Sequence, residues 1–370
     1  MALQGFCIAF NVGSISAIVP QIAQDFRISD FIIGRINWAY MLPYGLLALV
    51  YGPLTRRFDN KHIAIVSLLA FSVFSFLSGV TNSYHMLFGM RFLVGMFAAA
   101  ITPLSLIYIA KHAQVSNRGR FVGLFFSATF VADLLGIFLS GILPWRVMFF
   151  IPAGLGLVTV VLTMRSFPHT LVRQGATSSR YLEALRQPAI FRVFVYIFLI
   201  SLFYHGVRQW LGVYFTQELN MKQFFVSLTL TVGSLAGIFG EVFGGILADK
   251  NGRVKTLKLG VLFMAISVAL LMVVRSLALL PVLMLLWGFG WTVNHAGLST
   301  FLTDLHSEFM KEISSLNSSV RFFAGGLGVV LGGWLMQKSF MLGFGVYAML
   351  LLLMFLGAEK ILSKEEPRHV

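Results

Sequence analysis

Polar side chains thin out twelve times along this chain, at residues 2–23, 31–55, 62–80, 85–110, 119–142, 146–164, 191–217, 224–248, 257–274, 278–303, 313–336 and 340–360. A helix needs about 20 apolar residues to cross the hydrocarbon of a bilayer, and each run meets or nears that length. Backbone amides in lipid must be satisfied within their own segment, so isolated runs of this kind fold as helices. The period-two segments of a β-barrel do not occur, and Gly-x-x-x-Gly pairs inside the runs suit close helix contacts. The pattern predicts an all-α membrane protein of twelve transmembrane helices. One long polar stretch separates the sixth and seventh runs, with Pro168, Gly175, Ser178, Ser179 and Pro188 around a short helical piece at 180–186. It divides the chain into a six-helix half (1–164), a linker (165–190) and a second six-helix half with a short tail (191–370).

Composition agrees with lipid as the solvent. The 370 residues are 58% hydrophobic and 11% charged, where a soluble domain is about a quarter charged. Nineteen of the 28 Lys and Arg lie in the turns after even-numbered runs, in the linker and in the tail; five lie on the opposite side and four inside runs, at Arg35, Arg91, Arg208 and Arg321. This positive-inside bias puts both termini in the cytoplasm. The net charge of +14 is therefore mostly topology. Its spread over short turns leaves no continuous patch for nucleic acid. The single cysteine, Cys7, precludes an intramolecular disulfide, and no cleavable signal peptide is evident. Short loops suggest a bacterial plasma membrane, the inner membrane, and a monomer in the lipid bilayer is the default.

Polar residues inside the runs are few, and each is costly in lipid. Asp133 stands in span five among Val131, Ala132, Leu134 and Leu135. A carboxyl there is neutral or paired, which suits a proton relay, a structural pair with an arginine, or a substrate contact. Glu241 in span eight sits among Gly237, Gly240, Gly244 and Gly245, a small-residue face where a structural bond is expected. Span seven carries His205 and Arg208 beside Tyr204, Trp210 and Tyr214, with residues 204, 208 and 211 on one helical face. Span ten aligns residues 287, 291, 294 and 298 and carries Trp287, Trp291, Asn294 and His295. Span eleven adds Asn317 and Arg321. Four arginines and two histidines against two deep acids favour a substrate with a carboxylate or phosphate, which a guanidinium grips through two parallel hydrogen bonds.

The halves also share a turn. Gly-Pro-Leu-Thr-Arg-Arg-Phe-Asp-Asn-Lys begins at Gly52, and Gly-Ile-Leu-Ala-Asp-Lys-Asn-Gly-Arg-Val-Lys begins at Gly245, 193 residues later. Duplication with a charged turn at the same place in each half marks a transporter that rocks one half on the other. These turns resemble the Gly-x-Leu-Ala-Asp-Arg-x-Gly-Arg-Lys turn of the major facilitator superfamily, in a pattern most like its proton-coupled exporters. The second copy matches at Gly245, Leu247, Ala248, Asp249, Gly252 and Arg253, with Lys250 for Arg. The first departs: Gly52, Leu54, Arg57 and Lys61 are kept, Arg56 replaces the acid and Asp59 replaces the second glycine. The resemblance implies that the turns latch the cytoplasmic side, with Asp249 near Asn117 and Arg118. The first latch is then lost or rebuilt through Asp59. Span four resembles the family's Arg-x-x-x-Gly at Arg91 and Gly95, which implies that Arg91 takes part in proton movement with Asp133. The family's Gly-Pro in span five is absent, since Gly136 is followed by Ile137. Spans one, four, seven and ten line the cavity in this family, which places Asn11, Arg91, Tyr204, His205, Arg208, Trp287, Trp291, Asn294 and His295 there.

The function expected is a secondary active transporter of a small organic solute, anionic or amphipathic, with the proton as coupling ion. No Walker-type turn occurs, so the chain itself does not burn ATP. No cofactor, resident metal or enzymatic activity is expected, because no nucleophile–base pair can be read from the spacings. A metal-ion or metal-chelate transporter using His205, His295, Asp133 and Asn294 is one alternative. A non-transporting scaffold or receptor of the same fold is the other.

Overall fold

A computed structural model describes residues 1–114, 117–169, 180–305 and 307–362, apart from the side chains of Arg56, Ala110, Lys111, Arg118, Gly119, Ser307 and Lys311. The described residues contain helices and no strand. Every predicted run coincides with a helix or a broken helix. Spans two, three, five, six and eight are Arg35–Arg57, Asn60–Val80, Arg118–Leu139, Val147–Ser166 and Gln223–Asn251. Spans nine to twelve are Arg253–Leu271, Leu280–Thr303, Met310–Met336 and Phe340–Leu362.

The second run opens in a short helix, Asp30–Ile33, before Arg35–Arg57, and three further spans are interrupted. Span one is Ala2–Gly13 and Ile15–Phe26, bent by 51°; at the break Ser14 Oγ donates to the Phe10 carbonyl at 3.4 Å, a back-bond that bends helices. Span four stops at Ala98 and resumes at Ile101. Pro103 explains this break, because it has no N–H for the carbonyl of Ala99. Span seven runs Pro188–Arg208, then Leu211–Gln217. Among the described residues, nine helices are long and apolar enough to cross a membrane, and the bent first pair makes ten. Spans two and ten, with 23 and 24 residues, are long enough but diluted by polar and small residues.

The chain divides into two compact units, Met1–Ser179 with Lys222–Ser227, and Arg180–Met221 with Leu228–Val370. The short helix Tyr181–Arg186, predicted in the linker, groups with the second unit. There Arg180 pairs with Glu308 at 2.8 Å and covers the Phe309 ring at 4.8 Å. Gly175, Ser178 and Ser179 of the linker and the tail beyond residue 362 lie outside the described residues.

Each unit packs its helices by one scheme. Span one lies on five, three on four and three on six; span seven lies on eleven, nine on ten and nine on twelve. The spacing of 193 residues reappears in three dimensions. Gly95 of span four meets the backbone of Tyr40 in span two, and Gly288 of span ten meets the carbonyl of Gly233 in span eight, each residue 193 positions after its counterpart. Only a residue without Cβ permits backbones to approach so closely.

Candidate functional site

In the second unit the faces of spans seven and ten meet as a stack of rings. Tyr204 lies on Trp291 with centroids 3.7 Å apart and planes 10° apart, and on Trp287 at 5.3 Å and 10°. The i, i+4 spacing of Trp287 and Trp291 puts both indoles on one face of span ten, which is why one tyrosine spans them. His205 stands edge-on to Tyr204 at 5.1 Å and to Trp291 at 6.2 Å. Arg208, one turn further, lies over Tyr204 at 5.8 Å. The Trp287 Nε1 donor is buried without a partner among the described residues.

Two polar groups of the same unit add to the stack's surroundings. His295, 6.2 Å from Trp291, places Nδ1 at 2.9 and 3.2 Å from the two carboxylate oxygens of Glu241. An ionised carboxylate only accepts, so in that state Nδ1 carries the hydrogen. Glu241 was expected to make a structural bond; it makes one to a titratable partner. Arg321 of span eleven donates Nε to Asn317 Oδ1 at 2.7 Å, one turn earlier on the same helix. Its Nη1 and Nη2 are buried without a partner among the described residues. Arg321 lies within electrostatic reach of Glu241 and of His205. Asn294 is placed differently from its neighbours: it is 1% exposed and joins three helices, donating to Tyr196 Oη at 2.5 Å and to the Leu257 carbonyl at 3.0 Å.

In the first unit Arg91 is fully buried. It donates to Asn11 Oδ1, and its guanidinium covers the rings of Tyr40 at 4.7 Å and Phe149 at 5.6 Å. Asn11 in turn donates to Ser75 Oγ at 3.3 Å. A guanidinium in lipid survives only with such acceptors and π faces, yet Nε and Nη2 remain unpartnered among the described residues. Asp133 packs against Gly13, where a Cβ would stand 2.9 Å from its Cα. Spans one and five therefore bring this carboxyl to the break in span one.

The two gating turns are built differently. Gly252, the N-cap of span nine, has φ 89° and ψ 152° and no side-chain cap. Asp59, 193 residues earlier, has φ −63° and caps span three through Oδ1, which accepts from Lys61 N at 3.1 Å. A left-handed glycine in one copy is thus replaced by a capping carboxylate in the other. Asp59 Oδ2 also faces His62 and His169. Neither histidine was picked out in the sequence, because residues 107 positions apart form no motif. Asp249 pairs with Arg253 at 2.7 Å, and Arg253 reaches Asp304 at 3.0 Å beyond span ten. A Cβ at Gly244 would meet Val293 and Ala296, whereas Gly245 faces open space. Gly52 and Arg57 flank the first turn, and the side chain of Arg56 lies outside the described residues.

Comparison with known proteins places these features in a family. Residues 1–329 match the model of the Major Facilitator Superfamily. The uncharacterized MFS-type transporter YbcL of Bacillus subtilis is 24% identical over 348 residues, covering 90% of this chain and 87% of its own. Multidrug resistance protein 1 of the same organism is 21% identical over 347 residues, covering 90% and 88%. The crystal structure of the nucleoside transporter NupG superposes with a TM-score of 0.80 at 11% identity, covering 97% of each chain. An all-helical chain with two similarly packed units, a repeated turn and a match along nearly its whole length belongs to the Major Facilitator Superfamily, and is a secondary transporter of a small-molecule solute rather than an enzyme.

Proposed function

We propose that this chain is a proton-coupled transporter of a planar organic anion, bound on the face of the second half. The observation that carries this reading is Arg321, whose two terminal nitrogens lack partners among the described residues, in the same unit as the Tyr204–Trp291–Trp287 stack and within electrostatic reach of His205, which stands edge-on to that stack. Parallel rings offer a flat apolar surface, and a free guanidinium edge accepts a carboxylate through two hydrogen bonds. The Cis,cis-muconate transport protein of Acinetobacter baylyi, 22% identical over 309 residues, supports a conjugated carboxylate as the solute class. Asp133 relays the proton together with Arg91 of the same half, and the Glu241–His295 pair is a second proton station. The six-helix halves, joined by the linker at 165–190, alternate access by rocking, with the turns at Asp59 and Asp249 as latches. The monomer sits in a plasma membrane with both termini cytoplasmic, as the positive-inside bias supports.

Proteoliposomes bearing the purified chain test this with labelled cis,cis-muconate, benzoate and the cationic dye ethidium. Uptake of either carboxylate that follows an imposed pH gradient is expected. Transport of ethidium with no movement of either anion would overturn the substrate class, and anion transport indifferent to the pH gradient would overturn the coupling.

A further inference from the structure

The turn between spans two and three holds a cluster that solute binding does not use. Asp59 Oδ1 is committed to capping span three. Its other oxygen, Oδ2, faces two imidazoles, with Nδ1 of His169 at 2.6 Å and Nδ1 of His62 at 3.1 Å. One ligand atom from each of the three residues lies within 4.8 Å of the others. The Asp59 side chain is 15% exposed, while the imidazoles of His62 and His169 are 70% and 66% exposed. His169 is held in place by the two residues before it. The Phe167 ring stands edge-on to Tyr108 at 4.2 Å, and Tyr108 Oη donates to the Pro168 carbonyl at 3.2 Å.

We infer that Asp59, His62 and His169 form a divalent-metal site, with Zn²⁺ the preferred ion, that clips the start of the linker to the start of span three. Two imidazole nitrogens with one carboxylate oxygen suit a borderline ion, whereas Ca²⁺ and Mg²⁺ prefer all-oxygen cages. Ligands about 2.1 Å from Zn²⁺ in tetrahedral array stand about 3.4 Å from one another. Both imidazole nitrogens reach that spacing from Asp59 Oδ2 by opening less than about 1 Å from their present distances, and the ligand atoms already lie within 4.8 Å of one another. Three protein ligands leave the remaining position to water. The basic neighbours Arg57 and Lys61 oppose a cation and keep the affinity modest. This site shares Asp59 with the latch proposed for the transport cycle, and solute binding at the stack in the second unit and metal binding here do not depend on each other.

The test is a titration of the purified full-length chain, without a polyhistidine tag, in detergent near neutral pH. Co²⁺ is the spectroscopic probe, Zn²⁺ displaces it, and calorimetry counts the ions. One ion per chain is expected, with a visible ligand-field band lost on adding Zn²⁺. His62→Ala and His169→Ala, both at exposed positions, should each weaken binding about tenfold or more. Asp59→Asn retains a capping oxygen and should weaken it similarly, with the melting temperature in EDTA unchanged for all three. Absence of the band, or Zn²⁺ affinity within twofold of the parent in the doubly substituted His62→Ala, His169→Ala chain, would overturn the site and leave a hydrogen-bonded cluster only.

Discussion

Replacing Arg321 by glutamine should make the solute-free protein more stable and the anion-bound protein much weaker. Nη1 and Nη2 are buried without partners among the described residues, and each unsatisfied donor costs about 1–3 kcal/mol. The bond from Nε to Asn317, at 2.7 Å, returns about 1 kcal/mol. Removing the guanidinium therefore gains about 1–5 kcal/mol. In a chain of this size each kcal/mol moves the melting temperature by about 2 °C, so a rise of about 2–10 °C is expected. A carboxylate on the same guanidinium would make two charge-assisted bonds of about 1.5–3 kcal/mol each, so its loss should weaken anion binding by at least about a hundredfold. Arg321→Lys keeps the charge and loses the fork, and should fall between. Differential scanning fluorimetry reads the stability, and quenching of Trp287 and Trp291 reads ligand binding at the stack. Benzoate and its neutral relative benzamide form the decisive pair. If Arg321→Gln lowers the melting temperature and weakens both ligands equally, Arg321 is a structural residue and the assignment of an anionic solute fails.

Asp133→Asn should abolish uptake driven by a pH gradient while solute counterflow persists. Glu241→Gln should do the same if the Glu241–His295 pair is a second station, and unchanged gradient-driven uptake in either variant removes that residue from the proton path. Gly252→Ala places a Cβ at φ 89° and ψ 152°, a region almost reserved for glycine, at about 1–3 kcal/mol; a melting temperature equal to the parent's would show that the second turn relaxes freely. Gly288→Val drives a branched side chain into the Gly233 carbonyl, so folded yield in detergent should collapse, and normal yield would mean that spans eight and ten can separate without penalty.

Helix placement was legible in the sequence because lipid makes it a local matter. A run of apolar residues must satisfy its own amides, so among the described residues each predicted run is a helix or a broken helix whatever its neighbours. The repeat was legible too: the spacing of 193 read from Gly52 and Gly245 is the spacing of the glycine contacts at Gly95 and Gly288. Pairing was beyond reach, because it depends on how each helix is rotated against others far away in the chain. Arg321 and Arg91 look alike as lone arginines in apolar runs. Packing gives Arg91 an acceptor on span one and two ring faces, and leaves both ends of the Arg321 fork unpartnered among the described residues. Asn294 shares a helical face with Trp287 and Trp291 by spacing, yet the approach of span nine buries it as a joint. Asp59 looked like a damaged glycine position. Only the fold brings His169, 110 residues away, to its second oxygen. Hydropathy sums over neighbours in sequence and so fixes where the chain crosses the bilayer. The chemistry of a polar atom is set by what lies within about 3 Å of it, and among packed helices tertiary structure alone decides that.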